Sequence, residues 1–185
     1  MRSLARGELS RRHYMALLEN LAALYDALEH ELDRHREHPA IGWIQRDALR
    51  RHGAIQEDLI ALDDSRLPAA VRTDATREYV ERLRRAGNDA PELLLAHAYV
   101  RYLGDLSGGQ ILAPIVARSF GGDGRHVTHF YEFPRIDDVT AFKLSFREGI
   151  DRSVDETAAD EVVEEAKTAF RLHERLFREL EQPPR

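Results

Sequence analysis

His97, Arg101, Gly104, Asp105 and Gly108 recur at i, i+4, i+7, i+8 and i+11, the spacing of one face of a helix. That stripe gathers an imidazole, a guanidinium, a carboxylate and two positions without side chains. A carboxylate inside an apolar helix is costly unless paired or solvated. Asp105 is therefore either a group that handles protons or one end of a helix ion pair with Arg101, one turn earlier. Gly104, Gly108 and Gly109 fall within six residues, and each interior glycine costs roughly 1 kcal/mol relative to alanine. A kink would explain them, or a backbone that something must approach closely. Gly104 and Gly108, four apart, leave a flat backbone surface with Asp105 beside it. A large flat ligand next to a polar network would need this layout. His97 on the same stripe is either a buried histidine bonded to a neighbouring helix or a metal ligand.

Other candidates are weaker or excluded. Lys143 and Arg147 are four apart, so both reach one way from a segment containing Phe142, Phe146 and Ile150. They could clamp two carboxylates at the mouth of an apolar pocket, or simply face solvent. Nine histidines invite a metal reading, yet His30 and His35 are five apart and so roughly 140° apart round a helix, too far to share an ion easily. His35 with His38, and His126 with His129, fall at a helix end and in a loop. No paired Glu-x-x-His motif of a carboxylate-bridged di-iron bundle is present. The chain has no cysteine, which removes disulfides, thiolate metal sites and thiolate heme ligation together. A net charge of −6 speaks against nucleic acid as the main partner.

The elements that must position these residues read as helices throughout. Tyr14, Leu17, Leu18, Leu21, Leu24, Tyr25, Leu28 and Leu32 mark a first long amphipathic helix ending at His38-Pro39. A second region spans about Trp43 to Leu62 with an interruption near Gly53, and Leu67-Pro68 marks the connection after it. A third runs from about Asp74 to Ala86 with Gly87 as its C-terminal cap. The glycine-bearing helix follows, with Asp89 as N-cap, Pro91 in the first turn and a bend or stop at Pro114. Gly121-Gly122-Asp123-Gly124 breaks the pattern, and Thr128 to Pro134 reads as an extended surface segment. Two further helices begin near Asp137 and after Asp155-Glu156-Thr157, the last closed by Pro183-Pro184. At 185 residues, with 43% hydrophobic and 32% charged residues, this predicts one all-α domain over 1–185, a single helical bundle. No run is apolar and long enough for a bilayer, and no signal-peptide core precedes the first helix, so a cytoplasmic protein without a membrane partner is expected.

The run His97 to Leu112, with its Tyr-x-Arg-Tyr-Leu-Gly-Asp-Leu-Ser-Gly-Gly-Gln core, resembles the distal-helix signature of the heme oxygenases. Weaker similarity extends from about Gly7 to Leu180 and includes Tyr79 to Gly87 and Glu164 to Phe170. The resemblance implies a heme-oxygenase-like bundle with a kinked, glycine-rich distal helix. It also implies an enzyme that opens heme, its substrate and cofactor, to biliverdin, carbon monoxide and iron. O2 and electrons from a ferredoxin or reductase would be consumed. Carried over position by position, Asp105 would anchor a distal water network that delivers protons, with Arg101, Tyr25, Tyr79 and the backbone at Gly104 in the same catalytic group. Gly104, Ser107 and Gly108 would lie against the ring. Lys143 and Arg147 would hold the propionates, with Tyr99 as a further contact, and Phe170 and Phe177 would line the pocket wall. From the residues alone, Tyr25, Tyr79, Phe170 and Phe177 read equally as core. His97 is not the iron ligand in that family, and His173 stands where its animal members often carry an amide.

The family's proximal histidine lies on a helix that precedes the segment matching Gly7-Glu8-Leu9-Ser10. No residue here can be given that role, and the metal ligand stays unassigned. Three alternatives follow: a true start upstream of Met1, a variant using another ligand or serving as a heme carrier or sensor without turnover, or a bundle that has lost heme. For the chain as it stands, missing cover over the pocket predicts exposed apolar surface and dimerisation. A related thiaminase-like enzyme is a further reading, opposed by the absence of cysteine.

Overall fold

Ser10 caps the first helix: its Oγ accepts from the His13 N–H, and helix α1 then runs Arg11–Arg34. In the computed structural model the described residues are 10–44, 46–62, 71–120 and 124–181. Met1 to Leu9, the connection at Leu67-Pro68, the break at Gly121-Gly122-Asp123 and Pro183-Pro184 lie outside them. All eight apolar residues read as the inner stripe of α1 are buried. After it come α2 (Arg46–Leu49), α3 (His52–Leu62), α4 (Asp74–Asp89), a 3-10 turn (Pro91–Leu93), α5 (Leu94–Ala98), a π-helical turn (Tyr99–Leu103), α6 (Gly104–Ser119), 3-10 turns at Gly124–Val127 and His129–Tyr131, α7 (Val139–Ser153) and α8 (Glu156–Glu181). No strand occurs among the described residues. α1 packs on α3 and α4, and α8 packs across α4 and α5.

Polar groups buried on α1 decide where its neighbours begin. Asn20, fully buried, accepts from the Thr73 N–H at 2.9 Å and the Thr76 hydroxyl at 2.7 Å, fixing the start of α4. Glu29 Oε1 accepts from the Arg51 N–H at 2.5 Å and the His52 N–H at 3.0 Å, two donors that an uninterrupted helix would have consumed. The break between α2 and α3 therefore falls at Arg50-Arg51, close to Gly53 as expected, with Gly53 itself inside α3.

Three further expectations are corrected by packing. Gly87 does not cap α4, which continues to Asp89. It is buried, and a Cβ there would meet the Glu31 carboxylate of α1 at 2.9 Å. Asp89 thus ends a helix rather than capping the next, and Ala90 precedes Pro91 at the 3-10 turn. Pro114 does not stop α6, which runs through it to Ser119. The irregularity lies upstream, in the π turn at Tyr99–Leu103.

The segment Thr128 to Pro134 is a clamped turn rather than an extended surface strand. Asp58, fully buried on α3, accepts from the backbone N–H of His129 and of Phe130, both at 2.8 Å. Arg51 Nη1 donates to the carbonyls of Phe130 at 3.2 Å and Glu132, and its guanidinium stacks 3.9 Å over the Phe133 ring. Held this way, the turn presents Tyr131 to α6, where a Cβ on Gly109 would lie 3.1 Å from the Tyr131 carbonyl oxygen. Replacing Asp58 by Ala strands two buried N–H groups and should lower unfolding stability by about 2–4 kcal/mol, measured by denaturant titration.

Candidate active site

The π turn brings the predicted stripe together. A π turn adds a residue within a helix and is frequent at functional sites. Here it carries Arg101 into the interior, where the side chain is only 3% exposed. Arg101 Nη2 donates to both Asp105 oxygens, at 3.1 and 3.2 Å, and to Tyr25 Oη of α1 at 3.2 Å. Nη1 lies 2.7 Å from Nδ1 of His173 on α8. Tyr25 Oη in turn donates to Asp105 Oδ2. Three elements thus meet at one guanidinium. The Asp105 side chain keeps 14% of its surface exposed, against 3% for Arg101.

Burial pushes the Asp105 carboxyl well above the ordinary carboxylate range and the Arg101 guanidinium below its own. The contact between them works against both shifts, because two opposite charges at 3.1 Å each favour the other's ionised form. An arginine begins far above neutrality, so it stays charged and keeps Asp105 as its counter-ion. His173 is pulled down to about 2, by burial first and by Arg101 second, so it stays a neutral acceptor facing a cation.

Tyr79 and His97 form a second network one turn away. Tyr79 Oη lies 3.4 Å from His97 Nδ1, and His97 Nε2 donates to Glu165 Oε1 of α8 at 2.7 Å. Arg82 of α4 donates to the same carboxylate at 2.8 Å. Burial acts to raise Glu165, but these donors outweigh it and hold it down to about 2. Tyr79 makes no direct hydrogen bond to Asp105 or Arg101, but it is close enough to Arg101 for the two to interact electrostatically. His97 is fully buried and committed to its partners, the inter-helix role weighed against ligation.

The glycines divide. Around Gly109 the backbone of Tyr131 fills the space a Cβ would need, whereas among the described residues nothing lies within 4 Å at Gly104 and only Leu112 of the same helix, at 3.9 Å, at Gly108. Among the described residues the strip at Gly104 and Gly108 is therefore open backbone with no packing partner to explain the missing side chains. Lys143 of α7 reaches it from one side, its Nζ donating to Ser107 Oγ at 3.0 Å, while Ser107 donates back to the Leu103 carbonyl at 2.7 Å. Arg147 is exposed one turn further along α7 and makes no ion pair with a described residue. On α8, Phe170 is 53% exposed and so is not core, and Phe177 stacks edge-on against His173 at 4.6 Å. Tyr99 is half-buried in the π turn. Among the described residues no group of three or more His, Cys, Asp or Glu side chains is placed to hold a bare metal ion.

The described residues thus offer an uncovered stretch of helix backbone, an exposed aromatic, two cations and a carboxylate–guanidinium pair within an all-helical protein. A family model described as heme oxygenase matches residues 1–179. Heme oxygenase 1 of the cyanobacterium Synechocystis is 39% identical over 179 residues, covering 95% of this chain and 74% of its own length. Heme oxygenase 1 of Nostoc is 36% identical over 178 residues, 95% of this chain and 75% of that protein. The crystal structure of the Synechocystis heme oxygenase-1 in complex with heme aligns with a TM-score of 0.87 at 37% identity, covering 97% of this chain and 82% of that one. The chain belongs to the heme oxygenase family.

Sequence reasoning missed Glu165, Arg82 and Tyr131. The first had a signal: Val162, Glu165, Ala169, Leu172 and Leu176 are the buried stripe of α8 at helical spacing, with one carboxylate in it. The state of His173 gives a pH test. Unfolded, it titrates near 6.5; folded, near 2. Between those values the unfolded chain binds the extra proton, so stability is lost as pH falls below about 6.5. His173→Asn should flatten the slope of unfolding free energy between pH 6.5 and 5 in urea titrations.

Proposed function

We propose that this chain binds heme across Gly104 and Gly108 and cleaves it oxidatively to biliverdin, with release of carbon monoxide and iron. The observation that carries the reading is the open glycine strip lying directly beside the Arg101–Asp105 pair. Heme, when bound, supplies both the ring that is oxidised and the iron that activates O2, with electrons from a ferredoxin or reductase. Gly104 and Gly108 let the helix backbone approach the ring face where any side chain would hold it away. Asp105, kept ionised by Arg101 and oriented by Tyr25, holds water at its exposed oxygen edge and passes protons through it. Tyr79 supports this group indirectly, by packing against His97 in the adjoining network.

Lys143 and Arg147 give two cations on one side of α7 for the two propionates, and Ser107 orients the first of them. In this reading Tyr99 is a further contact at the ring edge and Phe170 and Phe177 form the wall; the exposure of Phe170 and the ring contact of Phe177 with His173 support it. No described helix is long and apolar enough to cross a membrane. Together with the lack of cysteine this supports a cytoplasmic site of action.

The test is hemin titration of the purified chain followed by reductant and O2, read as the decay of the Soret band and the rise of biliverdin. Asp105→Ala should keep hemin binding yet lower the rate of biliverdin formation by about 100-fold, the size of a lost proton-transfer group. Unchanged biliverdin yield would remove Asp105 from the mechanism, and binding without product in the parent chain would mark a carrier. Gly104→Ala separates the two demands on the helix. Its Cβ meets nothing among the described residues, so the ligand-free chain should gain up to about 1 kcal/mol of stability while hemin binding weakens.

A further inference from the structure

We propose that Trp43 and Gly149 form the joint that sets where α7 holds Lys143 and Arg147, and thereby how the chain grips the two carboxylates of a bound porphyrin. The inference rests on the reading of those two cations as the carboxylate clamp. Only Phe146 and Gly149 are buried among the fifteen residues of α7, and both meet Trp43. The indole stands edge-on to the Phe146 ring at 5.1 Å. A Cβ on Gly149 would lie 2.6 Å from Cη2 and 2.7 Å from Cε3 of the indole, so the absence of a side chain there is what admits the ring.

Trp43 is itself held from both sides. Ile41 and Ile44 are buried, and the loop is closed by the Gly42 N–H to the His38 carbonyl at 2.8 Å and the Ile44 N–H to the Ile41 carbonyl at 3.0 Å. The indole Nε1 finds no acceptor among the described residues, so ring packing alone places it. Gly149 stands two residues beyond Arg147, about 3 Å along the helix axis. Restoring normal contact distance to a Cβ there requires α7 to move by about 1 Å, and a helix carries that shift to its neighbours nearly undiminished. Such a displacement is enough to break a charge-assisted hydrogen bond to a carboxylate.

The experiment compares absorbance titrations of the chain with hemin and with hemin dimethyl ester, which differ only at the carboxylates. The parent chain should prefer hemin. Gly149→Ala should lower that preference about tenfold while the ester binds as before, the size of one charge-assisted hydrogen bond. Trp43 is the only tryptophan, so its emission in the ligand-free Gly149→Ala chain should shift as the joint opens. Adding Trp43→Phe, which removes the outer part of the indole, should restore the preference. Trp43→Ala, which empties the joint without a clash, should lower it. A parent preference that Gly149→Ala leaves intact overturns the joint alone. Equal losses for both ligands overturn it as well, since the effect would then be general to the fold. A parent chain that binds both ligands equally overturns the clamp reading and the joint with it.

Discussion

A single buried guanidinium organises this molecule. Arg101 has left water for the interior, and a charge there is tolerable only with a counter-ion and hydrogen bonds in good geometry. Its fork is planar and rigid, so the partners must come to it: Asp105 from α6, Tyr25 from α1 and His173 from α8. The π turn is the local consequence, since it places Arg101 inward one turn before the glycine strip begins. The geometry around Arg101 is thus set by electrostatics within the protein itself.

The second constraint is that one short helix must face two ways. On its inner side α6 needs close contact with the clamped turn, and Gly109 gives it by letting the Tyr131 backbone approach. On its outer side Gly104 and Gly108 leave backbone uncovered by the described residues, at a loss of helix stability. The clamp behind Tyr131, built from Asp58, Arg51 and Glu29, lies far along the chain from the glycines yet fixes their height.

Much of this was legible in the sequence where local rules act alone. The apolar stripe of α1 and the i, i+4 placing of Arg101 and Asp105 needed only helical spacing to be read, and the His97-to-Leu112 run was legible as a resemblance to a family. The readings that failed concern residues whose role is set by a distant partner. Gly87 looks like a cap until the Glu31 carboxylate is placed beside it. Thr128 to Pro134 reads as surface until Asp58, far earlier in the chain, is seen to satisfy its backbone.

The most direct measurement is an amide NMR comparison of the isotope-labelled chain with and without zinc protoporphyrin, whose ring current shifts only nearby resonances. Porphyrin seated on the distal helix predicts the largest shifts at Gly104 and Gly108, with smaller ones at Ser107, Lys143 and Phe170. Shifts that leave Gly104 and Gly108 unmoved while resonances elsewhere respond, for example in the open groove lined by Asp26, His52 and Gln56, would contradict a heme site built on the glycine strip.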